Sequence, residues 1–195
     1  MRVGILGGTF DPIHLGHLLA AERVREEEQL DEIWFMPSHI PPHKTHLPHA
    51  SAEQRWAMLL MATAPHPHFR PIDIELKRGG TSYTYDTMVL LKEQYPDYEF
   101  CFIIGGDMVA SLPKWYKIDA LAALVQFIGL ERPGAHIDWD KIHSPLKERI
   151  RMVPMPAIDI SSTDIRQRRR NGKSVRFMVD EEVRKYMEEQ RLYES

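Results

Sequence analysis

Cysteine is almost missing from this sequence of 195 residues: Cys101 stands alone, which excludes an internal disulfide framework. It sits in the apolar run FCFII, so a small buried thiol is expected there and a catalytic thiolate is not. Long apolar runs are missing as well, and nothing approaches the roughly 20 residues that a membrane helix needs. The opening MRVGILGG meets glycine before the apolar core of a signal peptide can form. It is read as a buried strand, and the chain is expected to work in the cytoplasm without a membrane partner. Neither sign of charge predominates: 25 lysines and arginines against 28 aspartates and glutamates leave −3 with histidine neutral. That balance gives the surface as a whole no electrostatic reason to hold nucleic acid, so any anionic ligand must be met by local donors. Internal repeats and low-complexity tracts are absent too, which excludes a solenoid.

What is present is the composition of a globular protein, 43% hydrophobic and 27% charged, at a length that suits one core. A single domain over 1–195 is expected, with the part from about 160 to 195 helical and carrying ISSTDIR. A homo-oligomer is compatible with this composition. Short apolar runs alternate with amphipathic stretches along the chain. RVGIL, EIWFM, FRPIDIEL, YEFCFII, VQFIGL and RMVPM read as strands, the third irregular or at an edge because of Pro71. Helices are expected from about His14 to Glu28, over SAEQRWAMLLMATA behind a Ser51 to Gln54 capping box, and over TSYTYDTMVLLKEQY entered at Ser82 or Thr84. WYKIDALAAL, SSTDIRQRRR and DEEVRKYMEEQ complete the helical set. This alternation predicts a Rossmann-like α/β fold: a doubly wound, mainly parallel sheet with helices on both faces and a small C-terminal helical extension.

In such sheets ligands bind beyond the carboxyl ends of the strands, where the strand order reverses. The polar oddities of this chain fall there. GGTFDPIHLGH follows the first expected strand, PSHIPPHK the second, GGDM the FCFII strand, ERPG the VQFIGL strand and ISSTDIR the last. In the first of these, Gly7 and Gly8 allow a sharp turn and close approach to a ligand, while His14 and His17 stand three apart at a helix start. Amide donors and partial positive charge at a helix start suit phosphate, and two imidazoles add donors. The P-loop lysine and the dinucleotide glycine spacing are both missing. Zinc on the two histidines, or a plain glycine turn with two satisfied histidines, remain the competing readings of that stretch.

GTFDPIHLGH together with ISSTDIR resembles the paired signatures of the nucleotidyltransferase superfamily. Within it, GGTFDPIHLGH, IPPHK, SYTYDT, FIIGGD, LPKWYKID and ISSTDIR, in that order, are similar to the bacterial nicotinate mononucleotide adenylyltransferases, from about residue 3 to the closing RLYES. The sister pantetheine-phosphate enzymes commonly have threonine where this chain has His14, are shorter, and are not expected to carry PKWYKID. The segments THLPHASAEQR and GAHIDWDKIHSPLKER show no shared motif.

The resemblance implies attack by the phosphate of nicotinate mononucleotide on the α-phosphorus of ATP, giving deamido-NAD and pyrophosphate. It implies His14, His17 and Arg166 as the catalytic residues. The implied ATP set is Gly8, Thr9, Phe10, His14, His17, Gly105, Asp107, Ser161, Ser162, Thr163 and Arg166, with Asp107 on the ribose. On the acceptor side it implies Trp115 stacked on the pyridine ring, amides at Thr84 and Tyr116 on the carboxylate, and Lys44 and Arg132 on the phosphate. Magnesium is implied as an ion carried by ATP, with no ligands from the protein. Preference for nicotinamide mononucleotide, a related adenylyltransferase such as the pantetheine-phosphate enzyme, and a nucleotide-binding regulator that has lost catalysis are the alternatives. Arg168, Arg169 and Arg170 are expected to be solvated charge, and His39, His43, His46 and His49 to belong to a loop that closes over substrate.

Overall fold

Strictly alternating side chains build the centre of the molecule, because a strand covered on both faces sends successive residues to opposite cores. The computed structural model describes residues 1–40, 47–131 and 137–194, so the expectations for Lys44 and Arg132, and for His43 and His46, lie outside the described residues. The strands are β1 (Arg2–Gly8), β2 (Glu32–Pro37), β3 (Phe69–Pro71), β4 (Glu99–Gly105), β5 (Gln126–Glu131) and β6 (Ile150–Pro154). They form one sheet in the order β3-β2-β1-β4-β5-β6, and each neighbouring pair is parallel. Leu6, Ile33, Phe35, Ile103 and Ile128 face one core, where α1 (Leu15–Glu27), α2 (Ala52–Thr63), α8 (Ser162–Arg170) and α9 (Glu181–Glu189) pack. Ile5, Trp34, Met36, Phe102 and Phe127 face the other, under α4 (Thr84–Gln94), α5 (Gly106–Val109), α6 (Ile118–Leu124) and α7 (Ser144–Lys147). The doubly wound, parallel reading of the sequence is therefore correct.

Because every strand runs the same way, the loops that follow β1, β2, β4, β5 and β6 emerge at one rim. The strand order reverses between β1 and β4, which places the crevice beside Gly7, Gly8 and Gly105. Cys101 is buried in β4, and burial pushes its thiol upward, as an inert core thiol requires.

Two elements differ from expectation. FRPIDIEL is strand only at Phe69–Pro71, and Ile74–Arg78 is a short helix, α3. Pro71 cannot donate to a ladder, and β3 pairs on one side only, so the strand stops there; an apolar alternation five residues long does not separate strand from helix. WYKIDALAAL becomes helical only at Ile118, because Lys117 adopts the left-handed conformation (φ 52°) and interrupts the chain after the 3₁₀ turn Leu112–Lys114.

Close backbone approach fixes one rim position. A methyl group added at Gly106 would stand 2.6 Å from the carbonyl oxygen of Leu130, and neither backbone is free to yield. Gly106→Ala is expected to lower unfolding stability by about 1–3 kcal/mol through overpacking. The urea midpoint is the measurement; an unchanged midpoint would mean that β4 and β5 separate at this end without cost.

Candidate active site

The turn after β1 is built so that two imidazoles face the crevice. Phe10 takes a positive φ of 49° and swings its ring into the core, so of this expected ATP residue only the backbone stays with the loop. The Asp11-Pro12 peptide is cis, and His14 then caps α1 in an extended conformation. The His14 N–H donates to His17 Nδ1 at 3.2 Å, and the two rings stack with centroids 3.6 Å apart. With Nδ1 accepting, the proton of the neutral His17 ring resides on Nε2, which makes that atom a donor. Gly16 between them lies against the His14 ring, where an added methyl would come within 3.1 Å of Nδ1.

Two clefts meet at this turn. One, of about 510 Å³, is lined by His14, Gly16, His17, Ser161 and Ser162 and walled by the stretch from Met155 to Ile160. The other, of about 590 Å³, is lined by Gly8, Thr9, His17, Thr84, Trp115 and Tyr116, with Glu75 and Gly105 also on its wall. His17, with Leu6 and Leu130, borders both. The expected ATP residues are thus divided: the histidines and serines around the first cleft, Gly8, Thr9 and Gly105 around the second. Asp107 is exposed and borders neither.

The ISSTDIR segment reaches this turn from 150 residues away. Ser161 caps α8 by accepting from the Asp164 N–H at 3.1 Å, and the Ser162 hydroxyl donates to the Pro12 carbonyl at 2.9 Å. Arg166 donates through Nη1 to the Asp11 carbonyl at 2.8 Å and through Nη2 to the Thr163 hydroxyl at 3.2 Å. Its guanidinium therefore braces the histidine loop, and neither it nor Thr163 borders a cleft. The amides of the first turn of α8 remain the groups suited to phosphate there.

Sequence reasoning missed the buried polar groups under the loop. Asp11, 5% exposed, accepts from the His49 and Ala50 N–H groups at 2.9 and 3.0 Å and from the Tyr193 hydroxyl at 2.7 Å. Burial, then the Asp11 charge, push the Tyr193 phenol far above its ordinary range, so it stays a donor. Arg55, 1% exposed, donates from Nη1 to the carbonyls of Thr9 and Ser38 at 2.7 and 2.8 Å; burial lowers its pKa and the Asp11 charge opposes that shift. Arg169 departs from its expected solvated state, since it donates to the Met187 and Leu192 carbonyls and pairs with Glu194.

On the second cleft, Thr84 is the first residue of α4, and Tyr83 before it contributes no side-chain cap. Trp115 is half-buried, held through its Nε1–H on the Ser111 hydroxyl at 3.3 Å and edge-on to Phe102 and Phe127. It is backed by the core and borders the cleft at once, so its two weighed roles coexist in position. Tyr116 is exposed, packs 4.9 Å from Tyr83, and lies two residues before α6; its amide is not a helix-start amide, contrary to expectation. Glu75, 3% exposed, was hidden in a stretch read as strand. Burial pushes its carboxyl upward, against hydrogen bonds from Thr87 and Ser82 that favour the ionised form.

Comparison with known proteins places this geometry in context. Residues 5–168 match the family model described as cytidylyltransferase-like. The chain is 46% identical over 194 residues to the nicotinate-nucleotide adenylyltransferase of Bacillus subtilis, across 100% of this chain and 99% of that one. It is 47% identical over 192 residues to the probable nicotinate-nucleotide adenylyltransferase of Oceanobacillus iheyensis, across 98% and 96%. Among solved structures it is similar to the Plasmodium falciparum nicotinic acid mononucleotide adenylyltransferase complexed with NaAD, with a TM-score of 0.81, 22% identity and coverage of 98% and 97%. That identity speaks to the fold alone.

Proposed function

The chain belongs to the nicotinate-nucleotide adenylyltransferase family of cytidylyltransferase-like proteins, and from that membership we propose that it transfers the adenylyl group of ATP to nicotinate mononucleotide, releasing pyrophosphate and deamido-NAD. The observation that carries this reading is His17, which borders both clefts while His14 pins its Nδ1. The acceptor's phosphate arrives ionised, so no side chain has to remove a proton before attack. A bond forms from its oxygen to the α-phosphorus, the bond to the β-phosphate bridge breaks, and pyrophosphate leaves with the electron pair. The work left to the protein is to align two anions and offset the charge that grows during displacement. In this reading His17 Nε2 donates to the α-phosphate, His14 and the Ser162 amide at the start of α8 hold the phosphates, and Arg166 keeps the histidine loop in place behind them. The Thr84 amide receives the acceptor's carboxylate and Trp115 its pyridine ring.

Imidazoles, hydroxyls and amides predominate on the clefts, with one carboxylate on each, Asp159 and Glu75, and no cluster of three metal-ligating side chains among the described residues, so magnesium is proposed to travel with ATP. Bound there it would neutralise part of the triphosphate charge. Among the described residues no helix is long and apolar enough to cross a membrane, and we place the activity in the cytoplasm, with ATP.

The test is pyrophosphate release measured with ATP, magnesium and either the acid or the amide mononucleotide. Product is expected only when ATP and acceptor are both present, and faster with the acid. No product with either acceptor would overturn the assignment.

A further inference from the structure

Glu75 is a buried carboxyl on the wall of the second cleft, at a place where an apolar side chain would fill the same volume without losing hydration. Its hydrogen bonds show what it holds. Thr87 on α4 donates its hydroxyl to Glu75 Oε1 at 2.8 Å, and Ser82 just before the helix favours the ionised form of the same carboxylate. Between these two anchors lie Tyr83 and the N–H groups of Thr84, Tyr85 and Asp86, which have no acceptor within the helix and no cap from Tyr83. The Ser82 hydroxyl also accepts from the His39 N–H at 3.0 Å, and the Ser82 N–H donates to the Ile40 carbonyl at 2.9 Å. Ser82 thus ties the start of α4 to the segment that follows β2, and Glu75 holds the first turn of the helix through Thr87.

We propose that Glu75 is a positioning residue for the acceptor: acting through Thr87, it fixes the first-turn amides of α4 against the pyridine carboxylate and so sets the preference for the acid over the amide mononucleotide. This rests on the adenylyltransferase reading above. An ionised carboxylate draws charge-assisted hydrogen bonds from those amides, roughly twice as strong as the neutral ones a carboxamide receives. Misplacing the amides therefore costs the acid more. His14, Ser161 and Ser162, on the side proposed to hold the triphosphate, line the first cleft, which Glu75 does not border.

The experiment compares steady-state constants for wild type, Glu75→Ala, Glu75→Gln and Thr87→Val with both mononucleotides. In Glu75→Ala and Thr87→Val, KM for the acid is expected to rise about tenfold and the acid-over-amide ratio of kcat/KM to fall about fivefold. The KM for ATP and kcat at saturating acceptor should stay within twofold. Glu75→Gln keeps an oxygen for Thr87 while removing the charge, and is expected to restore most of the preference. Thr87→Val is nearly isosteric and stands in if Glu75→Ala does not fold. An unchanged acid-to-amide ratio in folded Thr87→Val, or a Glu75→Gln as impaired as Glu75→Ala, overturns the proposal. So does a loss that falls equally on kcat and on the KM for ATP. A wild type inactive on both mononucleotides would instead overturn the adenylyltransferase reading itself.

Discussion

His17→Ala is expected to lower kcat by about 100- to 1000-fold at saturating ATP and acceptor, the scale on which a single donor to a developing oxyanion counts. The effect is assigned to kcat because the ring stands where the two clefts meet, so its Nε2 proton is strengthened as a donor only when charge gathers on the phosphorus being displaced. Binding of each substrate alone should change little, since each cleft keeps its other groups. The substitution also strips the His14 N–H of its acceptor at 3.2 Å, a hydrogen bond worth about 1 kcal/mol. That loss is too small to unfold the domain, and thermal unfolding run beside the kinetics separates the two effects. A folded variant that turns over at the wild-type rate would remove His17 from the reaction.

Asp11→Ala is expected to be the most damaging change for the fold, lowering stability by about 3–5 kcal/mol, the range for removing one member of a buried charged group. The carboxylate satisfies the N–H groups of His49 and Ala50 and the Tyr193 hydroxyl, and Arg166 approaches it within 4.0 Å. Alanine would leave three buried or half-buried donors without their acceptor and two arginines, Arg55 and Arg166, without the nearby charge that offsets their own. Equilibrium urea unfolding measures the loss, with an unchanged slope expected if the denatured state is the same. A destabilisation under about 1 kcal/mol would mean that water replaces the carboxylate at no great cost, and that the loop is held by Arg55 and Arg166 alone.

The parallel order of the sheet and the rim on which ligands gather were legible because they depend on periodicity. Val3, Ile5, Trp34 and Phe102 announce strands by alternation, and five of the six strands are followed by a glycine, proline, histidine or serine loop. The pairing of the histidine loop with ISSTDIR was legible from the resemblance of the two stretches to the paired nucleotidyltransferase signatures. Asp11 and Arg55 were not, although Asp11 lies inside the stretch that drew most attention. A buried ion has the same one-letter code as a solvated one, and what distinguishes them is partners 39 and 182 residues away. Glu75 was lost for a second reason: five residues of alternating pattern fit a strand as well as a short helix, so the side that faces the cleft was unknowable. Tyr116 was misplaced for a third reason, since the helical pattern of WYKIDALAAL does not show that the left-handed Lys117 delays the helix to Ile118.

The long reach of the contacts under the histidine loop has a consequence for the order in which the molecule forms. Pro12 meets Ser162 across 150 residues and Asp11 meets Tyr193 across 182, whereas the six strands are complete by Pro154. Closing such distances costs entropy that local pairing does not, and contacts of high sequence separation form late and slowly. The core that holds Phe10 also takes Ile165, Val183, Met187 and Tyr193, so the docking of the C-terminal helices closes that core and completes the brace on the histidine loop in one event.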